Sequence, residues 1–421
     1  KFISWRAGAK PARILNTSFM KRPTIALQLL ALSLAFGAPC LAQTDSKSTA
    51  LPDRLSAPGT DFSVVERGAH HRVWQRTIEE PTLRGVVEHK TSYTELRTGM
   101  HYIPREGPDA GQWIESREEI ESVPGGAVAR QGQTRVLFAN SAADAGAIDI
   151  EAADGTRLRT HVIGLSFADA SGKSVLIAQV KDCQGEILPP NQVLYRDCMD
   201  EVKCSMLYTY TLAGFTQDLL LEEALPMTPE DYGLDPATTR VQLLTEVLDA
   251  VSPARNISTV QTPSGFVLED ETLDFGALKI GPGKGYSLGG AVPGKTLFVA
   301  KQWANWDNRQ FLVEEIAYMD LLFELHSLPK NQGAFNAHST NGVVHVVSTQ
   351  RLLPAKRQLT TAPAKTQMHL PSVGLPERAF LWDYTTVAIS AANYVFRSDT
   401  TYLVAGQVNL AGQTVFESGS V

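Results

Sequence analysis

The sequence predicts an all-β fold: an extended antiparallel β-sandwich, or two packed sandwiches, with one short helix, then the start of a β-solenoid or parallel β-helix. Short runs alternate apolar and polar residues with period two and are rich in β-branched and aromatic residues, which is typical of half-buried strands. Turn pairs such as Asp154-Gly155 and Ser171-Gly172 separate these runs. The clearest runs are residues 91–96, 134–139, 147–151, 174–180, 206–211, 241–247 and 297–300. Roughly sixteen to twenty runs precede residue 316, more than one ordinary sandwich holds.

The N-terminal region has the three-part order of a bacterial secretory signal peptide, from Met20 to Ala42. Two basic residues follow Met20, an apolar stretch covers residues 25–36, and small residues precede the cleavage position. The apolar stretch is too short to span a bilayer. We favour cleavage after Ala42 over lipidation of Cys40, because a proline stands where a lipoprotein signal needs a small residue. The sequence therefore predicts a secreted or cell-surface protein, and residues 1–19 are interpreted as upstream sequence.

Composition and charge indicate a globular chain and exclude several classes of function. The chain is 43% hydrophobic and 20% charged, which is typical of folded proteins. Removing residues 1–42 takes six of the 38 basic residues and no acidic one, which leaves 32 against 45 and a net charge of −13. Binding to nucleic acids or to anionic lipid surfaces needs the opposite sign. No further apolar stretch of about 18 residues predicts a membrane span.

The chain after the signal peptide begins with two segments of different composition. Residues 43–83 are polar, contain prolines and glycines, and predict a loosely ordered lead-in. Residues 84–329 hold the alternating runs and predict the β-sandwich domain. Near its end, apolar spacing predicts a helix over 316–328 that packs on the sandwich and ends at Pro329. The helical stripe consists of Tyr318, Leu321, Leu322 and Leu325.

The C-terminal segments are interpreted as a linker and the first strands of a solenoid. Residues 330–379 contain four prolines scattered among Ala, Thr and Lys, and predict a Pro-rich linker. In residues 380–421, short strand-like runs alternate with single glycines, which is typical of solenoid rungs. Since a solenoid needs several stacked repeats, we expect it to continue beyond Val421.

Three cysteines follow the predicted signal peptide. An oxidising compartment permits a disulfide, and Cys198 and Cys204 have the spacing of a loop between two strands. We predict a Cys198–Cys204 disulfide that contributes about 2 kcal/mol, and a buried thiol at Cys183. The sequence predicts no metal site, because it lacks a paired Cys-x-x-Cys motif with a nearby histidine.

Residues 289–296 match the phosphate-loop pattern, with Gly289 at the start and Thr296 at the end. That motif needs a helix directly after its lysine, whereas the apolar, β-like run 297–300 follows here. We therefore interpret it as a glycine-rich hairpin and predict neither a nucleotide nor another cofactor.

Residues 285–289 match the nucleophile-elbow pattern, with Ser287 in the place of the nucleophile. That motif needs a strand–turn–helix junction, and the flanking glycines and the β-like run argue against it. Acidic residues occur in adjacent pairs, which is typical of solvated faces. The sequence therefore predicts no catalytic residue.

The strongest candidate recognition patch comprises Trp303 and Trp306 with Asn305, Asp307 and Asn308. Aromatic faces beside amide and acid groups can stack on a sugar ring and bond its hydroxyls. The two tryptophans can instead be core residues at a strand end, and this commoner role is the favoured one.

Several longer stretches carry a family resemblance. They include Ser92-Tyr-Thr-Glu-Leu-Arg-Thr-Gly-Met-His-Tyr102, Gly111-Gln-Trp-Ile-Glu-Ser116 and Tyr232-Gly-Leu-Asp-Pro-Ala-Thr-Thr-Arg240, with residues 124–132, 158–165, 214–219, 271–276, 300–303 and 310–315. From about residue 86 to residue 330, the chain resembles the N-terminal region of large, uncharacterised secreted proteins of Verrucomicrobia-like bacteria. The resemblance implies a secreted β-rich head, a proline-rich linker and repeats, and it implies no activity.

The sequence therefore predicts a non-catalytic extracellular head of a larger secreted or surface protein, for adhesion or for glycan or protein binding. One alternative is the N-terminal part of a secreted carbohydrate-active enzyme whose catalytic solenoid lies beyond residue 421. A structural spacer is the other alternative.

Overall fold

The computed structural model describes residues 62–289, 296–330, 345–359, 367–371, 373–388, 391–398, 400–404 and 406–418, with the backbone alone for 383–388. The predicted signal peptide and most of the phosphate-loop match lie outside the described residues. The described part is mostly strand, has a single α-helix and forms large antiparallel sheets, so the predicted all-β fold class is confirmed. Among the described helices, none has the length and apolar character needed to cross a bilayer.

The strands are short to medium in length and follow one another closely along the chain. The first fifteen are β1 Ser63–Gly68, β2 His71–Thr82, β3 Gly85–Leu96, β4 His101–Tyr102, β5 Ile114–Glu115, β6 Glu121–Val123, β7 Gly126–Ala129, β8 Arg135–Ala139, β9 Ile148–Glu151, β10 Arg157–Ala168, β11 Ser174–Gln179, β12 Gly185–Leu188, β13 Gln192–Tyr195, β14 Cys204–Thr211 and β15 Gly214–Leu221. The others are β16 Arg240–Asp249, β17 Ala254–Gln261, β18 Val267–Asp274, β19 Lys279–Ile280, β20 Gly283–Leu288, β21 Leu297–Trp306, β22 Arg309–Ala317, β23 Ala379–Ala388, β24 Ala391–Ala392, β25 Val395–Phe396, β26 Tyr402–Val404, β27 Leu410–Ala411 and β28 Val415–Phe416.

Two large sheets face each other across the core. The front sheet has the order β6-β7-β8-β9-β10-β16-β22-β21, and β11 pairs with the second half of β10. In the back sheet, β12-β13-β14-β15 leads to β23, whose other edge pairs with β19 and β20. β18 and β17 continue from β19. Since β20 also pairs with β21, the two sheets join into a nearly closed, barrel-like arrangement.

The core between the sheets consists of alternating side chains from both. Trp382, Tyr195, Tyr210, Phe138 and Phe167 are among its largest fully buried side chains. Burying each such side chain contributes about 1.5–3 kcal/mol. The period-two pattern that predicts the strands therefore also identifies the residues that hold the two sheets together.

β23 lies in the middle of the back sheet, although the sequence assigns residues 380–421 to a solenoid. It pairs with β15 over eight residues on one edge and with β20 on the other. Phe380 and Trp382 alternate along it and are fully buried in the core. This differs from the prediction because the chain returns to the sandwich after the segment 330–379, and a local pattern cannot show such a return.

A smaller sheet with the order β1-β2-β3-β26 lies at the N-terminal end of the described chain. β1 and β2 both fall within residues 43–83, which we predict as a loosely ordered lead-in. The structure differs for residues 63–82, because β2 pairs with β3 along twelve residue pairs, from His71–Leu96 to Thr82–Gly85. The backbone bonds of a long hairpin stabilise this polar sequence with little burial.

The last strands form parallel pairs. Ala391 pairs with Leu410, and Val395 pairs with Val415. The rings of Phe396 and Phe416 stack with centroids 4.4 Å apart. Parallel pairing of short strands is what a solenoid rung requires, and the solenoid itself stays a prediction.

The α-helix, α1, runs from Tyr318 to Ser327, within the predicted range 316–328. Its side chains Tyr318, Leu321 and Leu325 are buried, and Leu322 packs partly against the core. The helix ends just before Pro329, whose ring cannot continue a helix. The predicted helix and its core-facing stripe are therefore confirmed.

Residues 345–359, which belong to the predicted linker, lie along the front sheet, and we call them the strap. Ser348 forms a β-bridge with Ser174 of β11. Arg351 Nη2 donates to Gln242 Oε1 at 2.6 Å, and Arg357 donates to carbonyls at the sheet surface. The strap is therefore held by arginines that satisfy polar groups of the sheet and by Val347 and Leu353, which pack partly buried against the core.

Candidate functional site

The loop of residues 103–113 joins β4 to β5 and forms one wall of an open cleft. Tyr102 pairs with Ile114, so the loop begins and ends at neighbouring points. Two reverse turns, closed by backbone hydrogen bonds of 3.2 and 3.1 Å, fold it back on itself. Gly107 and Gly111 have φ angles of 100° and 83°, which glycine adopts without strain. The turn residues of the sequence thus shape this wall.

The floor of the cleft is the edge of the front sheet, β6 to β9, with the connection between β7 and β8. Gln133 in this connection donates from Nε2 to the carbonyls of Ala69 at 2.5 Å and His101 at 2.9 Å. One amide therefore ties the turn before β2, strand β4 and the floor together. At Gly132, a Cβ atom would come within 2.1 Å of the Tyr210 phenol oxygen, so a larger residue would displace that ring.

The cleft between wall and floor has a volume of about 840 Å³, within the usual range of small-molecule sites. Tyr102, Ile103 and Trp113 supply its apolar surface. The side chain of Trp113 is 37% exposed. Tryptophan offers a large flat apolar area together with one N–H donor.

Charged and amide side chains line the rest of the cleft in balanced numbers. They are Arg105, Arg130, Arg135, Glu106, Glu121, Glu151, Gln131 and Gln133. Arg105 Nη2 donates to Glu151 Oε1 at 2.9 Å, and Arg130 donates to Glu121. Gln131 Nε2 donates to the other oxygen of Glu121 at 2.8 Å. The cleft therefore presents planar, hydrogen-bonding groups with little net charge.

Glu121 is held in its ionised form. Burial alone raises the pKa of this carboxyl, but the hydrogen bonds from Arg130 and Gln131 and the positive charge of Arg130 outweigh it. The pKa of Glu121 consequently lies below its ordinary value. At neutral pH this side chain accepts hydrogen bonds and is a poor proton donor.

Arg135 is the arginine of the cleft whose guanidinium group forms no ion pair among the described residues. It lies in β8, directly opposite Glu151 in β9. The hydrogen bond of Glu151 goes to Arg105, and within the described part of the chain no carboxylate forms an ion pair with Arg135. Its donors are exposed at the cleft and accessible to a ligand.

The arrangement suits recognition of a polar ligand that also has a flat apolar face. Aromatic side chains contact the face, while carboxylates and guanidinium groups exchange hydrogen bonds with hydroxyls. Acid catalysis of glycoside cleavage needs a carboxylic acid whose pKa is raised. The pKa of Glu121 is shifted in the opposite direction, so this side chain is unsuited to that role.

The predicted recognition patch is divided by the pleat of β21. Trp303 and Trp306 lie three positions apart on this strand and therefore point to opposite faces. Trp303 meets Phe275 edge to face at 5.7 Å and packs against the core. The ring of Trp306 lies 4.2 Å from the guanidinium of Arg351 and 5.1 Å from Phe311. The structure does not bring the two tryptophans together.

The polar members of the predicted patch belong to the turn between β21 and β22. Asp307 and Asn308 have φ angles of 50° and 58°, a conformation that Asn and Asp tolerate well. Asn305 is exposed and pairs with Gln310 in the hairpin. These residue types are thus explained by the tight hairpin turn, and ligand binding by Asn305 or Asp307 stays a prediction.

The three cysteines are free, buried thiols in the structure. The Cys198 amide donates to the Cys204 carbonyl at 2.8 Å, so the predicted partners are neighbours. Burial raises the pKa of Cys183 to about 12 and raises that of Cys204 as well. Protonated thiols are slow to react, and the Cys198–Cys204 disulfide stays a prediction.

Ser287, the serine of the nucleophile-elbow match, lies inside β20, opposite Phe380 of β23. Its hydroxyl donates to the carboxylate of Glu324, which is buried on α1. A nucleophile elbow places its serine at a sharp turn after a strand. Residues 290–295 of the phosphate-loop match, which come directly after the nucleophile-elbow match, lie outside the described residues.

The cleft was missed by sequence reasoning because its residues come from five separate segments. Tyr102 and Trp113 lie at the two ends of a loop, Glu121 lies on β6, Arg130 lies in the connection between β7 and β8, and Glu151 lies on β9. One feature of the sequence could have indicated the cleft: Trp113 follows a turn-rich segment and lies outside the alternating pattern of the strands. Only the fold shows that this tryptophan lies beside the charged residues of the other segments.

Comparisons with models of protein families, with curated proteins and with solved structures give no match for this chain. The described residues also contain no cluster of His, Cys, Asp or Glu suited to hold a metal ion. The function is therefore inferred from the geometry of the cleft.

Proposed function

We propose that this protein is a non-catalytic extracellular binding module whose cleft, between the 103–113 loop and the front sheet, binds a glycan. The observation that carries the proposal is the exposed Trp113 beside two guanidinium–carboxylate pairs in a cleft of about 840 Å³. The extracellular location rests on the predicted signal peptide from Met20 to Ala42.

The balance of apolar and polar groups supports a glycan over other ligands. A sugar ring has an apolar C–H face that fits an aromatic side chain and hydroxyls that both donate and accept. Glu121 and Glu151 accept such bonds, and Arg105, Arg130 and Arg135 donate them. A nucleic acid would require an excess of basic residues, and the chain carries a net charge of −7.

The role proposed for the cleft is binding without catalysis. Its central carboxylate, Glu121, is ionised and engaged by Arg130 and Gln131. A retaining or inverting glycosidase needs one protonated and one ionised carboxyl group at the scissile bond. Hydrolysis of a bound glycan by this chain would contradict the proposal and favour the enzyme alternative.

The test is a glycan array with the chain, followed by calorimetry on the glycans that bind. We expect Trp113→Ala to weaken binding at least about tenfold, because loss of a central aromatic contact commonly costs 1.4 kcal/mol or more. The matched control is Phe323→Ala, an equally drastic truncation of an exposed aromatic residue on α1. If the Trp113 variant and the wild type bind with equal affinity, the cleft is not the binding site. If no glycan on the array binds the chain, the structural-spacer alternative is favoured.

A further inference from the structure

The hairpin of β2 and β3 extends beyond the sheet that holds its base, and we call its outer part, residues 76–92, the arm. β1 pairs with β2 only as far as Gln75, and β26 pairs with β3 only from Thr94 onward. In the described part of the chain, no strand therefore pairs with either edge of the arm. Its side chains are mostly exposed, including the apolar Val86 at 62%.

The direction of the backbone groups on β3 follows from the contact at its base. The amide of Thr94 donates to the carbonyl of Thr401, next to β26 and away from β2. Along a strand, alternate residues direct their N–H and C=O groups to the same edge. The open edge of the arm on β3 therefore presents the backbone groups of Val86, Glu88, Lys90 and Ser92.

The opposite edge, on β2, is guarded. Since Thr94 lies opposite Val73, alternation directs the backbone groups of Thr77, Glu79 and Pro81 to that edge. Proline has no N–H to donate, so a strand added to this edge would lack a backbone hydrogen bond at Pro81. The β3 edge has no proline between residues 86 and 92.

We propose that the β3 edge of the arm pairs antiparallel with the same edge of a second copy of this chain, around a two-fold axis at His89. In this register, Glu88 lies opposite Lys90 of the second copy, and Lys90 lies opposite Glu88. Val86 and Ser92 lie opposite each other at the two ends. Each facing pair exchanges two backbone hydrogen bonds, about eight in all.

Within one chain Lys90 Nζ lies 3.3 Å from Glu88 Oε2, and in the proposed pairing the same two charges also face their complements in the second copy, which selects both the occupant and the register. A shift of either copy by one hydrogen-bonded step places Glu88 opposite Glu88, or Lys90 opposite Lys90, and like charges directly opposite are destabilising. Only the pairing around His89 places each charge opposite its complement while every facing residue directs its backbone to the interface. An interface of this kind is self-complementary, as a two-fold dimer requires.

The test is sedimentation velocity over a concentration series, with charge-reversal variants of the whole chain. We expect a wild-type dimer, and dissociation constants at least about tenfold higher for Glu88→Lys and for Lys90→Glu, because each variant opposes like charges twice. An equimolar mixture of the two variants restores opposite charges at both positions and forms a heterodimer. The variant that combines both substitutions dimerises with itself as the wild type does.

Glu269→Lys is the matched control, since it makes the same charge change on the exposed hairpin of β17 and β18. It leaves dimerisation unchanged. A wild-type chain that stays monomeric at the highest concentration, or a mixture of the two variants that fails to associate, would overturn the proposal. Glycan binding is measured separately, so loss of the dimer and loss of the proposed function are distinguishable.

Discussion

The molecule uses the same ion pair, a guanidinium with a carboxylate, in two different settings. Beneath the strap, Arg309 contacts both oxygens of Glu246, from Nε at 2.8 Å and from Nη2 at 2.7 Å, and both side chains are at most 8% exposed. In the cleft, Arg105 contacts Glu151 at 2.9 Å, and the arginine side chain is 58% exposed. The buried pair is surrounded by protein, whereas water screens the cleft pair.

The surroundings decide what each pair does. His161 Nε2 lies 3.2 Å from Glu246, and Arg309 Nη1 donates to the carbonyl of Pro354 in the strap at 2.7 Å. The buried pair therefore joins β10, β16, β22 and the strap, and its groups have no access to a ligand. The cleft pair joins a loop to a strand and leaves donors and acceptors free to exchange bonds with a ligand. One ion pair is structural, and the other suits recognition.

Breaking the buried pair is expected to have the largest effect. Glu246→Gln removes the negative charge and leaves the guanidinium of Arg309 buried without a counter-charge, which commonly costs about 3–5 kcal/mol. Chemical denaturation measures the loss. The matched control is Glu151→Gln in the cleft, for which we expect less than about 1 kcal/mol. Equal losses in the two variants would contradict the comparison.

We expect the contribution of the buried ion pair to stability to depend on pH in the acidic range. Burial raises the pKa of Glu246, but Arg309 and His161 outweigh it and lower the pKa to about 2. A carboxyl with a lowered folded-state pKa stabilises the fold above its ordinary value near 4.5, and the contribution is lost as the pH falls toward 2. Denaturation midpoints between pH 5 and 2.5 should therefore fall steeply for the wild type and less steeply for Glu246→Gln. Parallel curves would show that Glu246 is not the responsible group.

Three buried or partly buried histidines are also expected to make the fold less stable as the pH falls, but in a higher pH range than Glu246. Burial lowers the pKa of His161, His70 and His101, so the folded state binds protons less readily than the unfolded chain. Their contribution is present above the ordinary value of 6.5 and decreases as the pH falls below it. His161→Gln should therefore flatten the loss of stability just below pH 6.5. An unchanged slope would assign the effect to the other two histidines.

The smallest effect on stability is expected in the cleft. Glu121→Gln keeps the shape of the side chain but weakens the bond to Arg130, and exposed pairs contribute about 1 kcal/mol or less. Because the amide cannot accept hydrogen bonds from hydroxyls at both positions, glycan binding should weaken several-fold. Calorimetry and denaturation on the same sample separate the two effects. A large loss of stability without a change in affinity would assign Glu121 to the fold.

Local patterns predicted local structure well. The helical stripe located α1 because residues three and four positions apart share a face whatever surrounds the helix. The alternating runs predicted strands for the same reason. Asp307 and Asn308 form a tight hairpin turn in the structure. From the sequence alone the same two residues also fit a binding patch, because Asp and Asn are common both in turns and in ligand-binding sites.

Contacts between distant segments could not be predicted in this way. β23 pairs with β15, about 165 positions earlier, and the Pro-rich segment between them supplies arginines to the front sheet. The sequence pattern of residues 330–379 predicts only a Pro-rich linker. Their role as a strap depends on polar groups of the sheet that are far away in the chain.

Half-buried strands, one helix and tight turns could be predicted from the amino-acid sequence alone, because those preferences act between neighbouring residues. The fold is needed to distinguish the charged residues that are buried under the strap from those, such as Arg105 and Glu151, that line an open cleft. The physical reason is that burial is a property of the packed sheets. A carboxylate beside a guanidinium stabilises the fold where the sheets exclude water, and it can recognise a ligand where they leave a cleft.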